Sequence, residues 1–221
     1  MTAPPLSATV LADARAGPMA SLAIVAEGQL SVAALEALIL RHATYSVIHR
    51  ARGTAEVHDA LATFEPAVVV VESRWPAWPV ALDPARWSGR TLLLLDPEDD
   101  PAQLMRAAQA KADGYLSRGA SREGFSMAIQ RLQEGGSYLD PALSERLGRA
   151  SADQPGPALS PRERDILAGV AAGRSSKEIG RQHAIAAKTV CNHVNNICQK
   201  LDLRHRGQLV LYAAQHGLTS L

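Results

Sequence analysis

From Ser21 to about Leu147, short apolar runs alternate with stretches whose apolar residues recur every three or four positions. The runs at residues 22–25, 46–49, 67–71, 91–95 and 114–116 have strand length and composition. Between them, residues 30–40 (Val32, Leu35, Leu38, Ile39), 55–63 (Val57, Ala60, Leu61) and 103–110 have helical spacing. Residues 121–133 form a further helix, with Phe125, Ala128, Ile129 and Leu132 on one face. Strands alternating with helices predict βα units on a parallel sheet. The valine-rich run at 67–71 needs cover on both faces, so helices are expected on each side of that sheet. Residues 75–87 break the pattern: Pro76, Pro79 and Pro84 interrupt them, and Trp75, Trp78 and Trp87 decorate what reads as an irregular loop.

A second pattern begins after residues 148–157, which are poor in apolar side chains and contain Pro155, Gly156 and Pro157. Ser160-Pro161-Arg162-Glu163 is a helix start, with Ser as cap, Pro at the first helical position and Glu closing a capping box. That helix carries Ile166, Leu167, Val170 and Ala171 and stops at Gly173. Helices at 176–183, 187–201 and 206–216 follow, the first two joined by Ala184-Ile185-Ala186 and the last ending at Gly217. Two helices joined by so short a turn are a helix-turn-helix. The chain is thus expected to comprise a tail (1–20), an α/β domain (21–147), a linker (148–157) and an all-α domain (158–221).

Charge sharpens this division. The net charge of +1 is uninformative, but residues 159–221 hold nine Lys/Arg against four Asp/Glu, a surplus of five that leaves about −4 on the rest. A basic small domain on a mildly acidic larger one fits a phosphate-facing surface at one end. Cys191 and Cys198 are the only cysteines and form neither a disulfide framework nor a metal-ligand pattern. No apolar run approaches a membrane span and no leader is evident, so a cytoplasmic location is expected. No nucleophile–base set or phosphate-cradling loop appears, and neither an enzyme nor a cofactor is implied.

On the helix at 187–201, Val190, Val194 and Ile197 form the apolar stripe. Lys188, Thr189, Cys191, Asn192, Asn195, Asn196 and Gln199 remain for the outer face. Asparagine and glutamine amides pair with adenine edges, and Lys and Thr hold phosphates, so this face suits double-stranded DNA. Three exposed asparagines each cost a helix some tenths of a kcal/mol relative to alanine, roughly, which disfavours a purely solvated role.

The string Leu159-Ser160-Pro161-Arg162-Glu163-Arg164-Asp165-Ile166-Leu167, with Gly173, Lys177-Glu178-Ile179, Lys188-Thr189-Val190, His193-Val194, Ile197, Lys200-Leu201 and Arg206, resembles the LuxR/NarL-type helix-turn-helix of response regulators. The resemblance implies base contacts from Cys191, Asn192 and Asn195. It implies backbone contacts from Lys188, Thr189, Lys177 and Arg206. It further implies a homodimer joined through the last helix, for which Leu209, Val210, Tyr212 and Ala213 are candidates. Cys191 replaces the usual Lys and Gly180 stands where Ala is common, so the operator cannot be carried over.

Residues 21–147 resemble a receiver domain, a flavodoxin-like five-stranded parallel sheet, most clearly at Ala112-Asp113-Gly114-Tyr115-Leu116. Phosphorylation of a receiver requires an acidic pair for Mg²⁺, an acceptor Asp, a hydroxyl residue and a Lys. The corresponding positions here are Ala26 and Glu27, Glu72, Asp96 and Arg118. Asp96 puts an anion where a hydroxyl that donates to the phosphate is needed. The pattern implies an atypical, pseudo-receiver regulator not switched by aspartyl phosphorylation. Two alternatives remain open: an antagonist that titrates a partner regulator without specific DNA binding, and a regulator sensing a small-molecule or protein effector through the tryptophan loop.

Overall fold

The computed structural model describes residues 20–26, 29–40, 45–51, 65–73, 89–95, 112–150 and 159–218, together with Val57, Leu61 and Thr63. The tryptophan loop, the helix expected at 103–110, most of that at 55–63, and residues 151–157 of the linker lie outside these residues. By backbone packing the chain divides into two units, residues 1–89 and 90–221.

The first unit contains β1 (Ala20–Val25), α1 (Gln29–Leu40), β2 (Tyr45–Ala51) and β3 (Val68–Glu72). β1 pairs in parallel with β2 on one side and β3 on the other. Every residue of β3 is buried, as its unbroken valine run requires. Val32 and Ile39, one face of α1, are buried as well.

The second unit opens with β4 (Arg90–Leu95) and β5 (Gly114–Ser117), followed by α2 (Arg122–Gln133), β6 (Tyr138–Leu139) and α3 (Pro141–Ala150). β5 pairs in parallel with β4 and β6. The hydroxyl of Ser121 accepts from the Gly124 amide at 3.1 Å and caps α2, whose Phe125, Ala128, Ile129 and Leu132 are buried as the spacing predicts. The strand order is β2-β1-β3-β4-β5-β6. Its first five strands are the doubly wound, receiver-like sheet the sequence implies. The two-residue β6 is an addition, and α3 runs three residues into the expected linker.

Four helices complete this unit: α4 (Pro161–Ala171), α5 (Ser176–Gln182), α6 (Ala187–Lys200) and α7 (Arg206–Gln215). Ser160 and Glu163 form the expected capping box on α4. Ser175 and Glu178 form a second one on α5, with the Ser175 amide donating to Glu178 at 2.6 Å. Ile166, Leu167, Val170, Ile179, Val190, Val194, Ile197, Leu209, Val210 and Ala213 make one core, and Cys198 joins it. No helix among the described residues is long and apolar enough to cross a membrane.

Candidate nucleic-acid interface

The α5–turn–α6 pair is set by local chemistry. Ala184 takes a left-handed φ of 52° in the turn, and the Ile185 amide donates to the Gly180 carbonyl at 3.0 Å. A Cβ on Gly180 would stand 2.7 Å from the Ile185 carbonyl oxygen, so the turn closes tightly only over glycine. That gives the Gly at this position a physical reason.

With Val190, Val194, Ile197 and Cys198 turned into the core, the opposite face of α6 is left to solvent. Lys188, Thr189, Cys191, Asn192, Asn195, Asn196 and Gln199 are all exposed, so the structure brings together the five α6 residues nominated from sequence. Lys177 on α5 is exposed too. The Cys191 thiol lies 3.5 Å from the hydroxyl of Ser176, adding Ser176 to this surface.

Arg206 is placed differently. Its guanidinium is largely buried, donates to the Arg174 carbonyl and lies 3.5 Å from the Ser176 hydroxyl. Its Nε is buried without a hydrogen-bond partner among the described residues. Burial, then the nearby positive charge of Arg90, pulls its pKa down to about 10. It therefore remains charged at neutral pH and braces the start of α5 from within.

The far end of α6 is fixed by an ion pair that joins residues 37 apart. The Lys200 ammonium sits 2.7 Å from Glu163, the residue that closes the α4 capping box. The hydrogen bond from Lys200, followed by those from Ser160, holds the Glu163 carboxyl down to about 2. A cation in the last turn of α6 also favours the helix dipole. His183 caps α5, its Nδ1 3.0 Å from Arg162, so this histidine serves structure.

Of the receiver-type positions, Glu27 and Asp96 lie outside the described residues. Ala26 is fully buried and its side chain offers no oxygen to a cation. Glu72 is buried at the end of β3, and Arg118 is exposed after β5. Among the described residues no three His, Cys, Asp or Glu side chains converge as a metal ion requires. Tyr115 is wholly buried, and burial, with Asp113 adding to it, drives its phenol pKa upward.

Residues 157–213 match the family described as bacterial regulatory proteins, luxR family. The chain is 30% identical over 129 residues to the transcriptional regulatory protein MctR of Rhizobium johnstonii, spanning 58% of this chain and 60% of that one. It is 28% identical over 202 residues to the transcriptional regulatory protein LnrK of Bacillus subtilis, spanning 84% of this chain and 92% of that one. Among solved structures, the response regulator ChrA of a heme-sensing two-component system is 25% identical, with a TM-score of 0.50 over 90% of this chain and 98% of that one. The RcsB response regulator of Salmonella typhimurium, 17% identical with a TM-score of 0.53 over 88% of this chain and 98% of that one, shares the fold. Residues 157–213 thus match the luxR family of bacterial regulatory proteins, and the chain is similar over most of its length to a transcriptional regulatory protein and to a solved response regulator.

Proposed function

We propose that this protein is a sequence-specific, double-stranded-DNA-binding transcriptional regulator that acts as a homodimer. The carrying observation is the split of α6: Val190, Val194 and Ile197 are buried while the amide-rich opposite face is open. Asn192 and Asn195 present donor–acceptor pairs to base edges, with Cys191 beside them. Lys188, Thr189 and Lys177 hold phosphates. Arg206 supports this surface from behind, through Arg174 and Ser176.

Fluorescence anisotropy of the full chain on fragments of its own genome, at two salt concentrations, tests this function. A regulator retains a sequence-dependent component at the higher salt, whereas a purely electrostatic binder, or an antagonist without specific DNA binding, does not.

Regulation in this proposal does not run through conventional aspartyl phosphorylation. Glu72 in place of the acceptor, Ala26 in place of a cation ligand and Asp96 in place of the hydroxyl support it. An acyl phosphate could not be stabilised by that set, because Asp96 adds a negative charge where the phosphoryl oxygens would lie. Mass spectrometry after incubation with a small phosphodonor is expected to find the chain unmodified. A stoichiometric acyl phosphate, recognised by its cleavage with hydroxylamine, would contradict it.

A further inference from the structure

On α6, Lys188, Cys191 and Asn195 stand at i, i+3 and i+7 along the exposed side, with Asn192 beside them. Lysine and asparagine bring strong donors to that line, whereas a thiol brings one weak S–H and a sulfur that accepts only weakly. The fold commits that single proton. The Cys191 thiol donates to the Ser176 hydroxyl oxygen at 3.5 Å, across from α6 to the first turn of α5.

Ser176 is itself held from behind. One terminal nitrogen of Arg206 donates to the Arg174 carbonyl, and the other lies 3.5 Å from the Ser176 hydroxyl oxygen. An arginine only donates, so it takes one lone pair of that oxygen and leaves the other for the thiol. The series Arg206–Ser176–Cys191 therefore starts inside the domain and ends in a sulfur on its exposed face.

What this sulfur shows a duplex is a soft, weakly hydrated surface with no donor left to offer. Guanine's major-groove edge carries two acceptors, adenine's an acceptor and a donor, cytosine's a donor; thymine's carries an apolar group, the C5 methyl, beside its acceptor. Such a sulfur gains little from acceptors or donors, and covering a methyl removes apolar surface of both partners from water. A lysine at this position would offer three donors and favour guanine, so cysteine here exchanges one reading for another.

We infer that Cys191 is a specificity-determining residue that selects thymine through its methyl group. The inference rests on the double-stranded-DNA reading proposed above and narrows it to one base type at the pair that Cys191 faces.

The test is anisotropy of the full chain, in reducing buffer, on a genomic duplex that the wild type selects and on copies in which each thymine in turn is replaced by deoxyuridine. That replacement keeps the base pair and its hydrogen-bonding groups and removes only the methyl. Wild type is expected to bind about three- to fivefold more weakly where the replaced thymine faces Cys191, the effect of one buried methyl. Cys191→Ser puts a well-hydrated oxygen in place of the sulfur; it should lose this dependence on the methyl while still preferring the genomic duplex to a random one. If Cys191→Ser does not fold, Cys191→Ala, which draws the side chain back from the base, gives the same comparison. Wild-type indifference to every replacement would overturn the inference, as would a methyl dependence that the variant retains in full. Either result leaves the DNA-binding reading standing as long as wild type prefers the genomic duplex to a random one. Absence of that preference refutes the reading, and the inference with it.

Discussion

The α4–α7 domain and the receiver-type sheet hold their chemistry in different ways. In the first, scaffold and chemistry are interleaved on one helix: every turn of α6 places one or more side chains in the core and others outside. In the second they are separable, for Val68–Val71 build a fully buried strand whatever carboxylate follows them, and Glu72 follows where a phosphoryl acceptor would stand. A fold resting on many apolar positions tolerates the replacement of a few polar ones, so this sheet is compatible with the proposed independence from aspartyl phosphorylation. The chemistry of α6 has no such independence, because its outer residues are aimed by its inner ones.

The coupling on α6 is most strongly broken from inside. Ile197→Ala is expected to destabilise the four-helix domain by about 2–5 kcal/mol, measured by denaturant unfolding, because it empties a fully buried position. DNA binding should fall with it. On the sheet, Glu72→Gln should leave DNA binding unchanged while altering stability locally. A loss of binding comparable to that of Ile197→Ala would erase the contrast.

The capping boxes come next. Ser160→Ala or Ser175→Ala is expected to cost about 1 kcal/mol each in the same assay, since each hydroxyl accepts from the amide three residues on. pH probes the same ends more gently. The folded Glu163 carboxyl, at about 2, lies below its ordinary 4.5, so its contribution is present above pH 4.5 and is lost as pH falls towards 2. Glu178 is lowered as well, chiefly by its hydrogen bonds from Ser175. Acid titration of stability should therefore be shallower in Glu163→Gln than in wild type. The smallest expected effect is that of a phosphodonor, which should change neither mass nor DNA affinity.

What could be foreseen from sequence followed the range of the interaction. Ser160, Pro161, Glu163, Gly173 and Gly217 mark helix ends through contacts a few residues away, and the helices they bound were legible. The Ser175–Glu178 box carries the same signal and was there to be found. The Glu163–Lys200 pair spans 37 residues and leaves no local trace. Neither does the packing of α7, where Gly207 meets Ala112 and Leu211 turns away from its own core. The exposed face of α6 was legible because its period is helical, whereas the inward turn of Arg206 was not, since an arginine at a helix start suits a phosphate and a buried carbonyl equally. β6, two residues long, owes its pairing wholly to the neighbouring β5.

In the proposed function, α6 reads base pairs with its amides and holds phosphates with its cation. The most direct test is anisotropy of full-length Asn192→Ala and Lys188→Ala on a selected genomic site and on a random duplex, across a salt series. Asn192→Ala is expected to lose about 1–3 kcal/mol on the selected site and almost nothing on the random one. Lys188→Ala should weaken both and lower the salt slope by about 1. Equal losses by Asn192→Ala on the two duplexes would contradict it.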